Sequence, residues 1–120
     1  PTFAIYIANL VFERLIKLGG LKQQEEKNNH KSAILYNAIE SSPLFYCPVP
    51  SSDRSTMNVV FRHKDHDEAI EKAFVSYAKS HGVDGIKGHR SVGGLRASIY
   101  NAQTNETIQY FAQLIKSFTP

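Results

Sequence analysis

Cysteine occurs once, at Cys47, in a chain of 120 residues. That excludes an internal disulfide framework and any metal site built from several thiolates. A lone cysteine also fits a reducing, intracellular compartment, so the cytoplasm is the expected location. Long apolar runs are missing too. None approaches the ~18–20 residues that cross a bilayer, and no short apolar segment follows a basic N-terminus. Neither a membrane partner nor a targeting segment is expected. Charge of one sign is scarce: 14 Lys and Arg against 11 Asp and Glu leave a formal excess of +3. That excess is too small by itself to name nucleic acid as a partner. What is present is ordinary for a globular chain, with 42% hydrophobic and 21% charged residues. The length suits one compact domain. The chain opens on Pro1-Thr2 without a methionine, and it reads as part of a longer protein.

Thr2 is a good N-cap, and Phe3, Ile7, Leu10, Val11, Leu15 and Leu18 follow at helical spacing. Ala4, Ile5, Ala8, Phe12 and Ile16 make the opposite side apolar as well. A helix apolar nearly all round needs burial all round, which a lone small domain rarely supplies. Gly19-Gly20 ends it. A second helix is predicted over Leu21 to Ile39, polar in its first half and buried at Ala33, Ile34, Leu35, Tyr36 and Ile39. Pro43, Pro48 and Pro50 then break the helical pattern. Leu44 to Val49 reads as a short edge strand, and Met57 to Arg62 as a half-buried one. Asp65 to Glu68 resembles a capping box opening a helix with the stripe Ala69, Ile70, Ala73, Phe74, Tyr77 and Ala78. Arg96 to Tyr100 reads as a further strand. Thr104 caps a last helix carrying Ile108, Phe111, Ala112, Ile115 and Phe118. The order ααββαβα predicts an α+β fold, a small mixed or antiparallel sheet covered by helices.

One segment does not look like scaffold. Gly82, Gly85, Gly88, Gly93 and Gly94 are five of the seven glycines, packed into thirteen residues. Lys87, Arg90 and Arg96 stand among them with His81 and His89, against the single acid Asp84. Bare backbone beside guanidinium forks suits an anion. The residues alone leave a solvated, glycine-turned loop equally open. Gly88-x-x-x-x-Gly93 has the first spacing of a P-loop, but Gly94-Leu95 stands where Lys-Ser/Thr is required. Gly85-Ile-Lys-Gly88 matches the GxxG of a KH domain without the flanking helical pattern. His63-x-x-His66 lacks a third metal ligand nearby and reads as a surface pair. Cys47 reads as a buried structural thiol, and Ser51-Ser52-Asp53 as a turn.

The run Gly88-His-Arg-Ser-Val-Gly-Gly-Leu-Arg-Ala-Ser-Ile-Tyr-Asn-Ala102 closely resembles the C-terminal signature of the phosphoserine aminotransferase family, pyridoxal-phosphate enzymes of fold type I and class V. Pro1-Thr-Phe-Ala-Ile-Tyr6, Leu10-Val-Phe12 and Arg54-Ser-Thr-Met-Asn-Val59 are similar to other family segments. The likeness covers the whole chain but only roughly the last third of a family enzyme. It implies the C-terminal small domain at 21–120, preceded by a linking helix at 1–20 that packs on an absent large domain. It implies amino transfer from L-glutamate to 3-phosphohydroxypyruvate, giving phosphoserine and 2-oxoglutarate for serine biosynthesis, by a cytoplasmic homodimer. The cofactor, pyridoxal 5'-phosphate, would be held by a lysine outside this chain, leaving the chain alone inactive. By resemblance, Arg96 binds the substrate α-carboxylate, while His89 and Arg90 receive the distal phosphate or γ-carboxylate and reach into the neighbouring subunit. Two other readings remain: an independent anion- or nucleic-acid-binding module, and a docking domain without ligand contacts.

Overall fold

The computed structural model describes residues 1–120. Four helices and three strands follow in the order α1 (Thr2–Lys17), α2 (Gly20–Glu40), β1 (Phe45–Tyr46), β2 (Asn58–His63), α3 (Glu68–Ser80), β3 (Leu95–Ser98) and α4 (Asn105–Ser117), with a 3-10 turn at Ser51–Asp53. The sheet order is β1-β2-β3, antiparallel throughout. The predicted α+β class holds, with no parallel pair.

Local chemistry accounts for most of the boundaries. Gly19 adopts a left-handed conformation, φ 100°, between α1 and α2, one that a side chain would resist. Thr104 opens α4 as expected, its hydroxyl accepting from the Thr107 N–H at 3.3 Å. Two expected caps are displaced. Thr2 is the first residue of α1, and Pro1 precedes it; the Pro1 carbonyl accepts from the Ile5 N–H at 3.3 Å. Proline is tolerated there because the first N–H groups of a helix have no intrahelical partner. In α3 the cap is Asp67, whose Oδ1 accepts from Ala69 N at 2.8 Å and Ile70 N at 3.3 Å. Asp65 lies in the preceding turn, where His66 takes the left-handed φ of 56°.

The core lies on one face of the sheet. Val59 and Phe61 of β2 and Leu95 and Ala97 of β3 point inward, onto Phe74, Ala78, Leu35, Ile39, Ile108, Phe111 and Ile115. Aromatic rings form its centre. Phe45 stands 4.9 Å from Phe74 and 5.5 Å edge-on from Phe61, and Phe74 stands 5.1 Å from Phe118. Truncating such a ring to alanine costs about 3–5 kcal/mol. In α3 the expected stripe narrows to Phe74 and Ala78, with Ile70 and Tyr77 half-buried and Ala69 and Ala73 exposed.

His63 corrects the surface-pair reading. The alternation of β2 continues one residue beyond Arg62, so His63 is buried with Val59 and Phe61. Its Nδ1 accepts from the Asp65 and Asp67 N–H groups. His66 is exposed and pairs instead with the Tyr46 hydroxyl at 3.1 Å. Cys47 is half-buried rather than buried, its thiol 3.7 Å from the Val49 carbonyl.

Helix α1 contributes no buried residue. Phe3 is 77% exposed and Ile16 73%, with Ile5, Tyr6, Val11 and Phe12 also open. No helix is long and apolar enough to cross a membrane.

Candidate substrate-anion site

The glycine-rich segment is built as an irregular hairpin on the outer edge of β3. The Arg96 N–H donates to the Ile86 carbonyl at 2.8 Å, Lys87 bridges to Leu95, and the Gly88 N–H donates to the Gly94 carbonyl at 2.9 Å. These rungs add residues 86–88 to the sheet and leave 89–93 as the tip. The tip closes on itself, since the N–H groups of Val92 and Gly93 both donate to the His89 carbonyl. Gly93 and Gly94, with φ of 75° and 71°, turn the chain back into β3. Only glycine adopts two such residues in succession at little cost. The loop is thus a glycine-turned hairpin whose tip, residues 89–93, is exposed.

Arg96 projects from the sheet face opposite the core. Its strand partner is Val60, and Ser98 pairs with Asn58 on the same side. The arginine is half-buried and borders a cleft of about 370 Å³ closed by Val83–Ile86, Ile99, Tyr100, Gln103 and Ile108. Its Nε is buried and has no hydrogen-bond partner within the chain. A buried donor left unpaired carries a desolvation penalty of about 1–3 kcal/mol, so this nitrogen is one that calls for a partner. No carboxylate lies within 4.0 Å of Arg96 or Arg90. Asp84, the one acid in the segment, is taken by other partners. The Gly85 N–H and the Lys79 ammonium, 3.5 Å away, hold its carboxyl below the ordinary 3.8.

His89 and Arg90 stand exposed at the tip and are not part of the cleft lining. The structure thus separates the two groups of cations. Arg96 is among the residues bordering the cleft, while the tip presents His89 and Arg90 outward. The His89 ring is oriented by Ser91: Nδ1 accepts the Ser91 N–H at 3.3 Å and lies 2.7 Å from its hydroxyl. With Nδ1 accepting, a neutral ring carries its proton on Nε2, which is then a donor even without a positive charge.

No lysine lines the cleft. The one buried lysine, Lys31 of α2, donates to the carbonyls of Tyr100 at 2.8 Å, Gln103 at 3.1 Å and Ile99 at 3.5 Å. Burial lowers its pKa from the ordinary value, yet the ammonium is committed to tying α2 to the turn after β3. Lys31 also borders, with Lys27, a second cleft of about 410 Å³ between α1, α2 and residues 101–105. No group of three or more His, Cys, Asp or Glu stands close enough to hold a metal ion.

Sequence reasoning missed Lys31 and the buried Glu71. The partners of Lys31 lie 68 to 72 residues along the chain, and those of Glu71 lie eight and nine residues back on a different element, so no local pattern marks either.

The family model for class-V aminotransferases matches residues 1–111. Phosphoserine aminotransferase of Leptospira biflexa is 50% identical over 118 residues, covering 98% of this chain and 32% of the relative. That of Acidithiobacillus ferrooxidans is 50% identical over 119 residues with the same coverage. Among solved structures, phosphoserine aminotransferase from Bacillus circulans subsp. alkalophilus superposes with a TM-score of 0.91 at 40% identity, over 96% of this chain and 32% of that one. The pyridoxal-phosphate-bound enzyme from Trichomonas vaginalis gives 0.92 at 37% identity, over 98% and 33%. The chain spans about a third of the length of the relatives it matches. From the first helix to the start of the last, these residues belong to the class-V aminotransferase family.

Proposed function

We propose that this chain is the C-terminal part of a pyridoxal-phosphate-dependent phosphoserine aminotransferase, supplying the residues that hold both ends of the substrate. The observation that carries the reading is the buried Nε of Arg96, which has no partner within the chain. Relatives 50% identical over 98% of the chain support the choice of enzyme. A likeness of that extent also disfavours an independent nucleic-acid-binding module sharing only the loop.

In this reading Arg96 receives the α-carboxylate of glutamate or phosphoserine through its planar fork. His89 and Arg90 receive the distal group, a phosphate in one half-reaction and a γ-carboxylate in the other. Both substrates carry an anion at each end, so one double-ended clamp serves both. Fixing the two ends orients the reacting carbon, a positioning effect of several kcal/mol. The exposure of the tip supports a placement in which His89 and Arg90 serve a neighbouring subunit of a homodimer. By the family resemblance, the cofactor and its lysine belong to the part of the protein outside these residues, and Lys31 is engaged by three carbonyls here. Residues 1–20 link to that part: α1 is apolar over most of its surface, apart from Asn9, Glu13, Arg14 and Lys17, and has no buried residue here. The compartment proposed is the cytoplasm.

The test is kinetic. In the full-length enzyme Arg96→Lys keeps the charge and loses the fork. A charge-assisted hydrogen bond contributes about 1.5–3 kcal/mol, so kcat/KM should fall about tenfold or more with both the amino-acid and the keto-acid substrate. Unchanged kinetics would make Arg96 scaffold.

A further inference from the structure

The turn that returns the loop to β3 rests on a buried ion pair. Glu71 of α3 has a side chain only 7% exposed, and its Oε1 accepts from the His63 N–H at 3.0 Å and from Arg62 Nε at 3.3 Å. A carboxylate buried to this degree persists only with its acceptors engaged. Both donors come from β2, so the pair fixes the direction in which the Arg62 side chain leaves the strand.

That side chain runs along Gly93-Gly94. Arg62 Cγ and Nε lie 3.0 and 3.2 Å from the point a β-carbon of Gly94 would occupy, and Nη2 lies 3.7 Å from the corresponding point at Gly93. Arg62 also shares a sheet face with Arg96, because Val60, two residues earlier, is the Arg96 partner. It stands on the loop side of that partner. We propose that Arg62, held by Glu71, is a positioning residue for the distal-anion site: it is the floor under the Gly93-Gly94 turn and sets where His89 and Arg90 are presented. This rests on the role given above to His89 and Arg90. A guanidinium suits the task, since Nε engages the carboxylate while the flat end lies along the turn; lysine, with one point charge, cannot do both.

The experiment compares Arg62→Met and Glu71→Gln in the full-length enzyme, each alone and combined with Arg90→Ala. Kinetics are read with 3-phosphohydroxypyruvate and with a short keto acid lacking a distal anion. Each single variant should raise KM for the phosphorylated substrate about tenfold with little change in kcat, and leave the short one nearly unaffected. In the Arg90→Ala background that effect should shrink well below tenfold, because one of the two groups being positioned is gone. Equal losses on both substrates, or losses that simply add to that of Arg90→Ala, overturn the inference. An Arg90→Ala enzyme with unchanged substrate preference overturns the site reading itself, and this inference with it. If Arg62→Met does not yield folded enzyme, Glu71→Gln, which keeps the shape and removes the charge, decides by the same comparison.

Discussion

The carbonyl oxygen of Gly93 occupies the space that a β-carbon on Gly88 would need, and the Gly94 carbonyl closes the same space from the other side. The contact sits where the Gly88 N–H meets the Gly94 carbonyl, so the two arms of the loop touch backbone to backbone. Gly88→Ala should force them apart. Backbone cannot yield as a flexible side chain does, and overpacking of this kind costs about 1–3 kcal/mol. In the full-length enzyme we expect a lower urea midpoint together with a higher KM for the phosphorylated substrate. A variant indistinguishable from the parent in both would refute the closed loop.

Arg90 should act across subunits. Full-length subunits carrying Arg90→Ala can be mixed with subunits lacking the cofactor lysine. In each mixed dimer one site then combines an intact lysine with an intact Arg90 from its partner, and activity should reappear. If Arg90 serves its own subunit, both sites carry one defect and no recovery occurs. Subunit exchange must be verified separately, for example by mass-tagged protomers.

The 120-residue chain by itself should form no stable imine with pyridoxal phosphate. Lys31 is held by three carbonyls, and no lysine borders the Arg96 cleft. Incubation with cofactor, reduction by borohydride and peptide mass mapping should find only scattered, substoichiometric labelling. One lysine labelled stoichiometrically would contradict the prediction.

Two surface carboxylates shape the acid limb of stability. Asp84 is held below its ordinary 3.8, first by the Gly85 N–H and then by Lys79. Glu106 is held below 4.5, first by its own backbone N–H and then by the Thr104 hydroxyl. Around these values the unfolded chain binds more protons than the folded one, so stability rises with pH. The contribution is complete above the unfolded values and is lost as pH falls through the folded ones. Both groups are fully solvated, so the effect is small. The double variant Asp84→Asn, Glu106→Gln should flatten the pH dependence of the urea midpoint below about pH 4.5 and leave its slope near neutrality unchanged. An unchanged acid limb would remove both from the account.

Much of this was legible in the residues because the signals are local. Gly19-Gly20, the prolines from Pro43 to Pro50, and Thr104 each act within one turn of where they stand, and the element order follows from them. Strand β2 was read one residue short, and that single step hid the burial of His63; extending the alternation Val59, Phe61 by one more position would have found it. Asp65 and Asp67 are both credible caps by composition. The choice between them is made by His63 Nδ1, which accepts the N–H of each and bends the turn so that Asp67 meets the first free N–H groups. Arg96, His89 and Arg90 were visible through resemblance, not through spacing. Glu71 was invisible on either ground. An acid between Ile70 and Lys72 looks solvated until β2 brings Arg62 beside it.

Helix α1 has a further consequence, for the order in which structure forms. A 16-residue helix with no buried side chain gains little from tertiary contact and is marginal alone in water. The sheet and the other three helices close around Phe45, Phe61 and Phe74 without it. In the free 120-residue chain, amide hydrogens of α1 should exchange with solvent orders of magnitude faster than those of β2 and α4, because its opening disturbs no core contact. The free chain should therefore open α1 as one unit and the core as another, giving two unfolding transitions in place of one.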